Sequence, residues 1–481
     1  MTHPVSRFVC AGCGAEPPAD AYPFSCPNAG ADDDVDHVLR RELDLGRVRF
    51  PEDVSEPNPF IRYRTLLHAY HVAIAGDMSD DAFCAFIRAF DERVAAVDGR
   101  GFVATPFERA DLLSDKLGFS AEGGVWVKNE TGNVSGSHKA RHLFGVLVYL
   151  EVLERLGWHG ARPDLAIASC GNAALAAAVV AAAARRRLRV FVPVGADPVV
   201  LARLEELGAF VTACPRVEGV PGDPTVHRLM EAIAGGALPF TCQGNLNGLA
   251  VEGGYTLGWE LTSAGVEIDR VVVQVGGGAL ASAVAAGLRE GGLTPRLDTV
   301  QTEGAWPLRR AYSAVVARGG ETALGYAARH RHEFMWPWEQ EPHSIAHGIL
   351  DDETYDWLAV VEGMLRSHGS PLVADERVLL GANALARGST GIPVDPTGSA
   401  GLAGLIALRE LGAVDDDERV ALFFTGLDRN IDVRRSQAPE LGAMEAKGEP
   451  LVPGTGERTK GEGDAKLHRT RHPVAQGLRA R

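Results

Sequence analysis

Between about residue 100 and residue 430, short continuous apolar runs alternate with longer stretches whose apolar positions recur at helical spacing. "DLAIAS" (164–169), "RVFVPV" (189–194), "FVTAC" (210–214), "RVVVQV" (270–275), "LDTVQTE" (297–303) and "RVALFFTG" (419–426) predict strands. Between them, "AALAAAVVAAAARRR", "DPVVLARLEELGA" and "ALASAVAAGLRE" predict helices. In the second of these Asp197 is placed as N-cap, Pro198 at the first helical position and Gly208 at the end. Upstream, "DMSDDAFCAFIRAFDERVAAVDG" has Asp and Ser caps, an apolar face and a closing Gly99. Strands without polar alternation are buried on both faces, so the pattern predicts an α/β fold with parallel sheets covered by helices. Residues 1–40 show no such rhythm, read as irregular and hold three of the cysteines. Residues 41–99 read as an extended piece followed by a helical extension, and 100–440 as the α/β region. From 441 to 481 the chain is rich in Gly, Lys, Arg and Glu with few apolar residues, which predicts a disordered tail.

Composition narrows the function classes. The chain has 481 residues, 46% hydrophobic and 23% charged, as ordinary globular proteins do. A formal charge of −15 argues against a nucleic-acid partner, which requires a basic face. No apolar run is long enough to span a bilayer, so no membrane association is expected. The first residues, "MTHPVSRFVCAGCG", lack a basic-then-apolar signal pattern, and seven cysteines in so long a chain do not form a disulfide framework. Both point to a reducing cytoplasm.

Ligands on parallel sheets sit beyond the carboxyl ends of strands, beside the following helix N-termini. Three such loops carry polar or small residues. "ASCGNAALAAA" sets Ser169, Gly171 and Asn172 between a strand and a helix start, where N–H groups suit an anionic oxygen; a plain Asn cap is the other reading. "QVGGGALASA" offers Gly276, Gly277 and Gly278 as a cradle for an anion, but it is not G-x-G-x-x-G and no acidic residue follows at the ribose-binding distance. "LFFTGLDRN" puts Thr425 at the end of the last strand. Elsewhere, in "NETGNVSGSHKARHLFG" (129–145), Lys139 leaves a loop of Gly and Ser at the start of an apolar helix. A lysine there is either an ordinary surface cation or a nucleophile toward a carbonyl. A nucleophilic lysine, a phosphate cradle and an amide side chain together suit an aldehyde cofactor with a phosphate arm, and pyridoxal phosphate fits.

With these residues in place, the chain resembles the tryptophan-synthase-β-like group of pyridoxal-phosphate enzymes, which includes threonine synthases and serine/threonine ammonia-lyases. The likeness runs over residues 100–430. "TPFERADLLSDKLG…GVWVKNE" is similar to the group's opening segment, "SGSHKAR" to its lysine motif, "SCGN" to its substrate loop, "GGGAL" to its phosphate loop, and "PVDPTGSAGLAGL" and "FTG" to its closing segments. The resemblance implies two open, mostly parallel three-layer sheet domains with an N-terminal Cys-containing extension. It implies that Lys139 holds the cofactor as a Schiff base and then carries the substrate α-proton. It places Asn172 on the cofactor's ring hydroxyl oxygen, and Ser169, Gly171 and Asn172 on the substrate carboxylate. It places Gly276, Gly277, Gly278, Ala279 and Leu280 on the phosphate, and Thr425 against the pyridine nitrogen. A hydroxyl partner need not keep that nitrogen protonated, which weakens the electron sink and favours prompt loss of a β or γ leaving group.

The departures also carry information. His138 stands where the dehydratases and threonine synthases of the group have Phe and resembles the tryptophan synthase β chain, whose Glu-x-Gly-Ala-Gly-Gln segment is missing here. Ala140-Arg141-His142 follows the lysine rather than Asp-Arg-Gly, and "SGSHKAR" is closer to the ammonia-lyases. The front end instead resembles threonine synthases: "NPFIRYRTLL", and "VCAGCG…FSCP" with Cys10, Cys13 and Cys26 as a Cys-rich knuckle. A structural zinc requires four ligands. Position 29 is Ala29 rather than a fourth Cys, so His37 or an Asp of 32–34 is a candidate to complete the set, and a relic knuckle without metal is the other reading. The leading expectation is a lyase that eliminates the β group of serine, threonine or a related amino acid. The alternatives are threonine synthase, whose phosphohomoserine needs a second phosphate pocket for which Arg141 is a candidate, and a β-replacement enzyme. A paralogue without catalysis sits poorly with an intact Lys139, "SCGN" and "GGGAL", and a nucleotide-binding oxidoreductase leaves Lys139 and Thr425 unexplained. A small amino-acid substrate and a homo-oligomer are the expected partners. The Trp- and His-bearing segment 332–350 reads either as a wall of the substrate pocket or as plain core and interface.

Overall fold

The computed structural model describes residues 4–18, 21–30, 33–158, 162–216 and 223–429. The tail expected to be disordered, 441–481, lies outside the described residues. Near the N-terminus, β1 (Ser6–Cys10) pairs antiparallel with β2 (Leu39–Leu43). This corrects the reading of residues 1–40 as irregular. The strands are short, and β2 begins where the irregular segment was placed to end, so the pairing of distant segments left no local signal. Next come β3 (Phe107–Arg109) and β4 (Gly124–Asn129). A four-stranded sheet follows, built from β5 (Leu165–Ala168), β6 (Leu188–Pro193), β7 (Phe210–Cys214) and β8 (Leu238–Pro239), all parallel, in the order β7-β6-β5-β8. The last strands are β9 (Arg270–Gln274), β10 (Arg296–Thr302), β11 (Pro371–Ala374) and β12 (Arg419–Phe424). With β3 and β4 they form a six-stranded sheet in the order β11-β10-β9-β12-β4-β3, parallel except for the edge strand β3.

Helices cover both faces of each sheet because successive strand residues point opposite ways. In the larger sheet Val271, Val273, Ala421 and Phe423 pack with helices Ala279–Glu290, Pro307–Arg318 and Trp357–Arg366. Val272, Val420, Leu422 and Phe424 pack on the other side with Glu376–Thr390 and Ala400–Glu410. In the smaller sheet Leu165 and Ile167 face one cluster while Ala166 and Phe191 face another. The expected α/β architecture of two mostly parallel three-layer sheets is therefore the observed one. Capping chemistry holds where it was expected. The Asp197 side chain accepts from Val199 N with Pro198 at the first helical position, Ser79 caps the helix Asp80–Asp98, and Gly99 ends it at φ 81°. Among the described residues no helix is long and apolar enough to cross a membrane.

Candidate active site

In the larger sheet β4, β12 and β9 are parallel neighbours, so their carboxyl ends open on the same edge. The loop after β4 leads to Lys139, which begins the helix Lys139–Arg155. The loop after β12 carries Thr425, and that after β9 carries Gly276–Gly278. Two contacts tie the first two loops together: Ser137 bridges to Gly426, and His138 N donates to Thr425 O at 3.4 Å. Ser169, Gly171 and Asn172 follow β5 of the other sheet. Arg429 draws that loop to the lysine loop, donating to Asn172 Oδ1 at 2.5 Å and to Ser135 O at 2.7 Å. The Asn172 amide N–H₂ is thereby turned to donate elsewhere, as a partner of an anionic oxygen must.

The lysine loop is wound tightly. Ser135 and Gly136 both have left-handed backbone, φ 56° and 69°. For serine this costs on the order of 1 kcal/mol, and it is held by Asp98 Oδ2, which accepts from Ser135 N at 2.9 Å. The first turn of the following helix is anchored from below. Arg141, fully buried, grips Glu130 with two bonds of 2.9 and 3.0 Å and Glu260 with two of 2.5 and 3.2 Å. Lys128 pairs with the same Glu260, and Thr105 donates to Glu130. Two carboxylates facing two cations, all buried and bonded, fix the register of the helix that presents Lys139. Arg141 is therefore committed to structure, and the sequence-based idea that it binds a second phosphate is withdrawn.

Thr425 is fully defined by Gln274, the polar residue that ends the apolar strand β9. The Gln274 amide nitrogen lies within hydrogen-bonding distance of Gly398 O, Phe423 O and, at 2.9 Å, Thr425 Oγ1, its two protons shared among the three. With its oxygen accepting, the Thr425 hydroxyl keeps its proton for an acceptor beyond, as an unprotonated ring nitrogen would be.

The glycine loop is a cradle that side chains would fill. A Cβ at Gly276 would collide with Asp351 Oδ2 and come to 2.9 Å from Ile349 Cα, and one at Gly277 would lie 2.8 Å from the Tyr355 ring. Gly278 takes φ +96°, with Thr354 Cγ2 at 3.0 Å from where a Cβ would be. Ala279 and Leu280, both buried, start the helix Ala279–Glu290. Around this loop and Lys139, Ser135 Oγ, Ser137 Oγ, both ring nitrogens of His138, His142 Nε2 and Thr354 Oγ1 are buried without a hydrogen-bond partner. Such a concentration of unpaired polar atoms is what a bound polar group would satisfy. Burial holds both imidazoles neutral, pushing His138 well below its usual range and His142 down to about 3. Burial also pushes Asp351 up to about 6 and Asp356 up to about 7, against the nearby positive charge of Lys139. Below about pH 7 for Asp356 and about pH 6 for Asp351, each carboxyl retains its proton and can donate to a phosphate oxygen instead of repelling it. The residues present thus fit pyridoxal phosphate, with Lys139 for its aldehyde, Gly276–Leu280 for its phosphate, and Asn172 and Thr425 for its ring.

Sequence reasoning missed Gln274, Arg429, Asp351 and Asp356. A polar residue closing "RVVVQ" was a usable signal, whereas "DDETYDW" reads as a solvated acidic run. The segment 332–350 contributes to the core and to the surroundings of the glycine loop. Phe334 and Met335 are core, and its far end, at Ile349, walls the glycine loop. Cys10, Cys13, Cys26 and His37 come together as a separate cluster.

Comparison with known proteins places the chain in a family. The family described as "Pyridoxal-phosphate dependent enzyme" matches residues 100–426. A threonine synthase of Methanocaldococcus jannaschii is 27% identical over 347 residues, covering 70% of this chain and 78% of that protein. The solved structure of threonine deaminase isoform 2 from Solanum lycopersicum aligns with a TM-score of 0.54 at 17% identity, covering 77% of this chain and 90% of that one. Maize serine racemase aligns with a TM-score of 0.56 at 17% identity, covering 75% and 98%. A lysine at the head of an anchored helix, a glycine cradle and a strand-end hydroxyl, in a chain matched across these segments, make this protein a member of the tryptophan-synthase-β-like group of pyridoxal-phosphate dependent enzymes.

Proposed function

We propose that the protein is an amino-acid lyase that eliminates the β group of serine, threonine or a related β-substituted amino acid and releases ammonia and a 2-oxo acid. The observation that carries this reading is the charge lining of the site. Arg141, two residues past Lys139, is taken up by Glu130 and Glu260. A phosphorylated substrate would need a free cationic donor beside the lysine, and Arg141 is not one. Threonine synthase is the second reading, supported by the 27% identity to an archaeal threonine synthase. A β-replacement reaction would use the same residues with a nucleophile other than water.

In this reading Ser169, Gly171 and Asn172 hold the substrate carboxylate and orient Cα toward Lys139. Bound pyridoxal phosphate would supply the electron sink for the pair left on Cα. The Lys139 amine takes the α-proton, the β-hydroxyl leaves with a proton as water, and hydrolysis of the remaining nitrogen bond yields ammonia and the 2-oxo acid. The Thr425 hydroxyl, with Gln274 on its oxygen, would donate to the ring nitrogen of the bound cofactor without protonating it, which suits elimination over transamination. All seven cysteines are free, in keeping with the cytoplasmic location that belongs to the same proposal.

The test is a visible absorbance spectrum of the purified protein, followed by titration with L-serine, L-threonine and phosphohomoserine. A shifted band with 2-oxo acid released from serine or threonine is the expected outcome. Phosphate release from phosphohomoserine would replace the lyase by threonine synthase, and a colourless protein that takes up no cofactor would refute both.

A further inference from the structure

The N-terminal cysteines form a cluster the active site does not use. Cys10 ends β1, Cys13 sits in the turn after it, Cys26 follows from the next loop and His37 lies just before β2. One ligand atom from each lies within 4.8 Å of all the others. Cys13 Sγ is 3.6 Å from Cys26 Sγ, and Cys10 Sγ is 3.4 Å from His37 Nδ1. A tetrahedral zinc with usual bond lengths separates two sulfurs by about 3.8 Å and a sulfur from an imidazole nitrogen by about 3.6 Å. The observed edges agree with both. A disulfide would bring the sulfurs to about 2 Å, so the cysteines are not placed as one.

Two further features suit a metal. His37 Nε2 meets Asp33 Oδ2 at 2.7 Å, the carboxylate contact that sets an imidazole to offer its other nitrogen to an ion. Asn28 N donates to Cys26 Sγ at 3.4 Å and Asn28 Nδ2 to Cys13 Sγ at 3.7 Å, so donors face these sulfurs as they would thiolates. Three sulfurs and one nitrogen as donors select zinc over magnesium or calcium.

The segment that supplies His37 also leans on the cofactor site. Asp36 accepts from Trp357 Nε1 at 3.2 Å and faces Arg331 Nε at 3.4 Å, while its N–H donates to Ala328 O at 2.7 Å. Asp34 accepts from His332 N at 2.8 Å. Trp357 starts the helix that directly follows Thr354 and Tyr355, the residues packed on Gly278 and Gly277. Asp356 N donates to Gly277 O at 2.9 Å.

We propose that Cys10, Cys13, Cys26 and His37 bind one zinc ion, with Asp33 positioning His37, and that the metal holds the segment 33–37 against Trp357 and so braces the wall of the glycine loop. Binding exchanges thiol protons for the metal, with no change of oxidation state. The bracing half of the proposal rests on the glycine loop being the cofactor's phosphate site; the zinc half does not.

The test uses the full chain, purified with and without added zinc. Elemental analysis should find about one zinc per chain after dialysis. Cobalt put in its place should give thiolate charge-transfer bands. Cys13→Ser and His37→Ala should each lose the metal, and Asp33→Asn should bind it about 10- to 100-fold more weakly. Circular dichroism separates metal loss from failure to fold, and zinc removal from the unaltered chain by a chelator supplies the same comparison without any substitution. The stripped chain should bind pyridoxal phosphate more weakly and recover when zinc is returned. A chain that takes up no zinc, a Cys13–Cys26 disulfide found by peptide mapping, or full zinc retention in His37→Ala would overturn the site. Zinc uptake with unchanged cofactor affinity after stripping would overturn the bracing. A chain that takes up zinc but no pyridoxal phosphate in either state would instead count against the cofactor reading.

Discussion

At Thr425 the hydroxyl oxygen lies 2.9 Å from the Gln274 amide nitrogen, which can only donate, so the hydroxyl proton is free for another acceptor. Lys139 is placed with similar economy, at a helix start held by Arg141 two residues on. Lys139→Ala removes the amine without touching that anchor. Turnover should fall by on the order of 10³-fold or more while the circular dichroism spectrum stays unchanged, and retained activity would refute the role. Asp356 gives a pH prediction. Burial raises its carboxyl to about 7, so the folded chain keeps a proton that the unfolded chain gives up near the usual carboxylate value. The stabilisation that comes with this proton is complete below that value and is lost as pH rises toward 7. Between about pH 5 and about pH 8 the unaltered chain should lose on the order of 3 kcal/mol more stability than Asp356→Asn. Urea midpoints that track each other across this range would show that Asp356 ionises normally. Lys139 and Thr425 were legible in the sequence because they sit beside Gly-, Ser- and strand-end signals. Asp356 and Arg429 were not, because burial and partner decide their chemistry and neither is written locally.

The helix Lys139–Arg155 is buried almost along its length, from Ala140 to Leu153. Its sequence "KARHLFGVLVYLEVL" announces an apolar helix but not how a buried arginine and histidine are tolerated within it. The answer lies in other elements. Glu130 comes from the loop after β4 and Glu260 from the helix Glu252–Ser263, and Ala250 O takes the proton of His142 Nδ1 at 2.8 Å. Arg141→Met leaves two buried carboxylates short of a partner. It should cost about 3–5 kcal/mol in denaturant unfolding and lower turnover through a misplaced Lys139. A double substitution that also replaces Glu130 by Gln should recover part of that loss, and a cost below about 1 kcal/mol for Arg141→Met alone would show that the network does not anchor the helix. Among the strands, the apolar runs of β5, β6, β9 and β12 were readable by composition. β1, β2 and β8 were not, since strands of two to five residues owe their existence to a neighbour and not to propensity.

Across the whole molecule, the lysine, threonine and glycine loops open on one sheet edge, and the asparagine loop arrives from the second sheet through Arg429. A ligand held by loops from both sheets stabilises the folded chain as a unit. Pyridoxal phosphate at about 100 times its dissociation constant should add about 2.7 kcal/mol. A thermal melt should move upward accordingly, and Lys139→Ala should retain a smaller shift through the phosphate cradle alone. An unmoved melt would mean that no cofactor is held. The sequence by itself determined the α/β class, the positions of the main strands along the chain, the glycine cradle, the lysine and the set of thiols, because each depends on residue type and short spacing. Only the tertiary structure decided that Arg141 is an anchor, that Gln274 directs Thr425, that two buried acids face the glycine loop and that His37 closes the cysteine cluster. These depend on burial and on partners dozens to hundreds of residues away, which no local pattern of apolar and polar positions encodes.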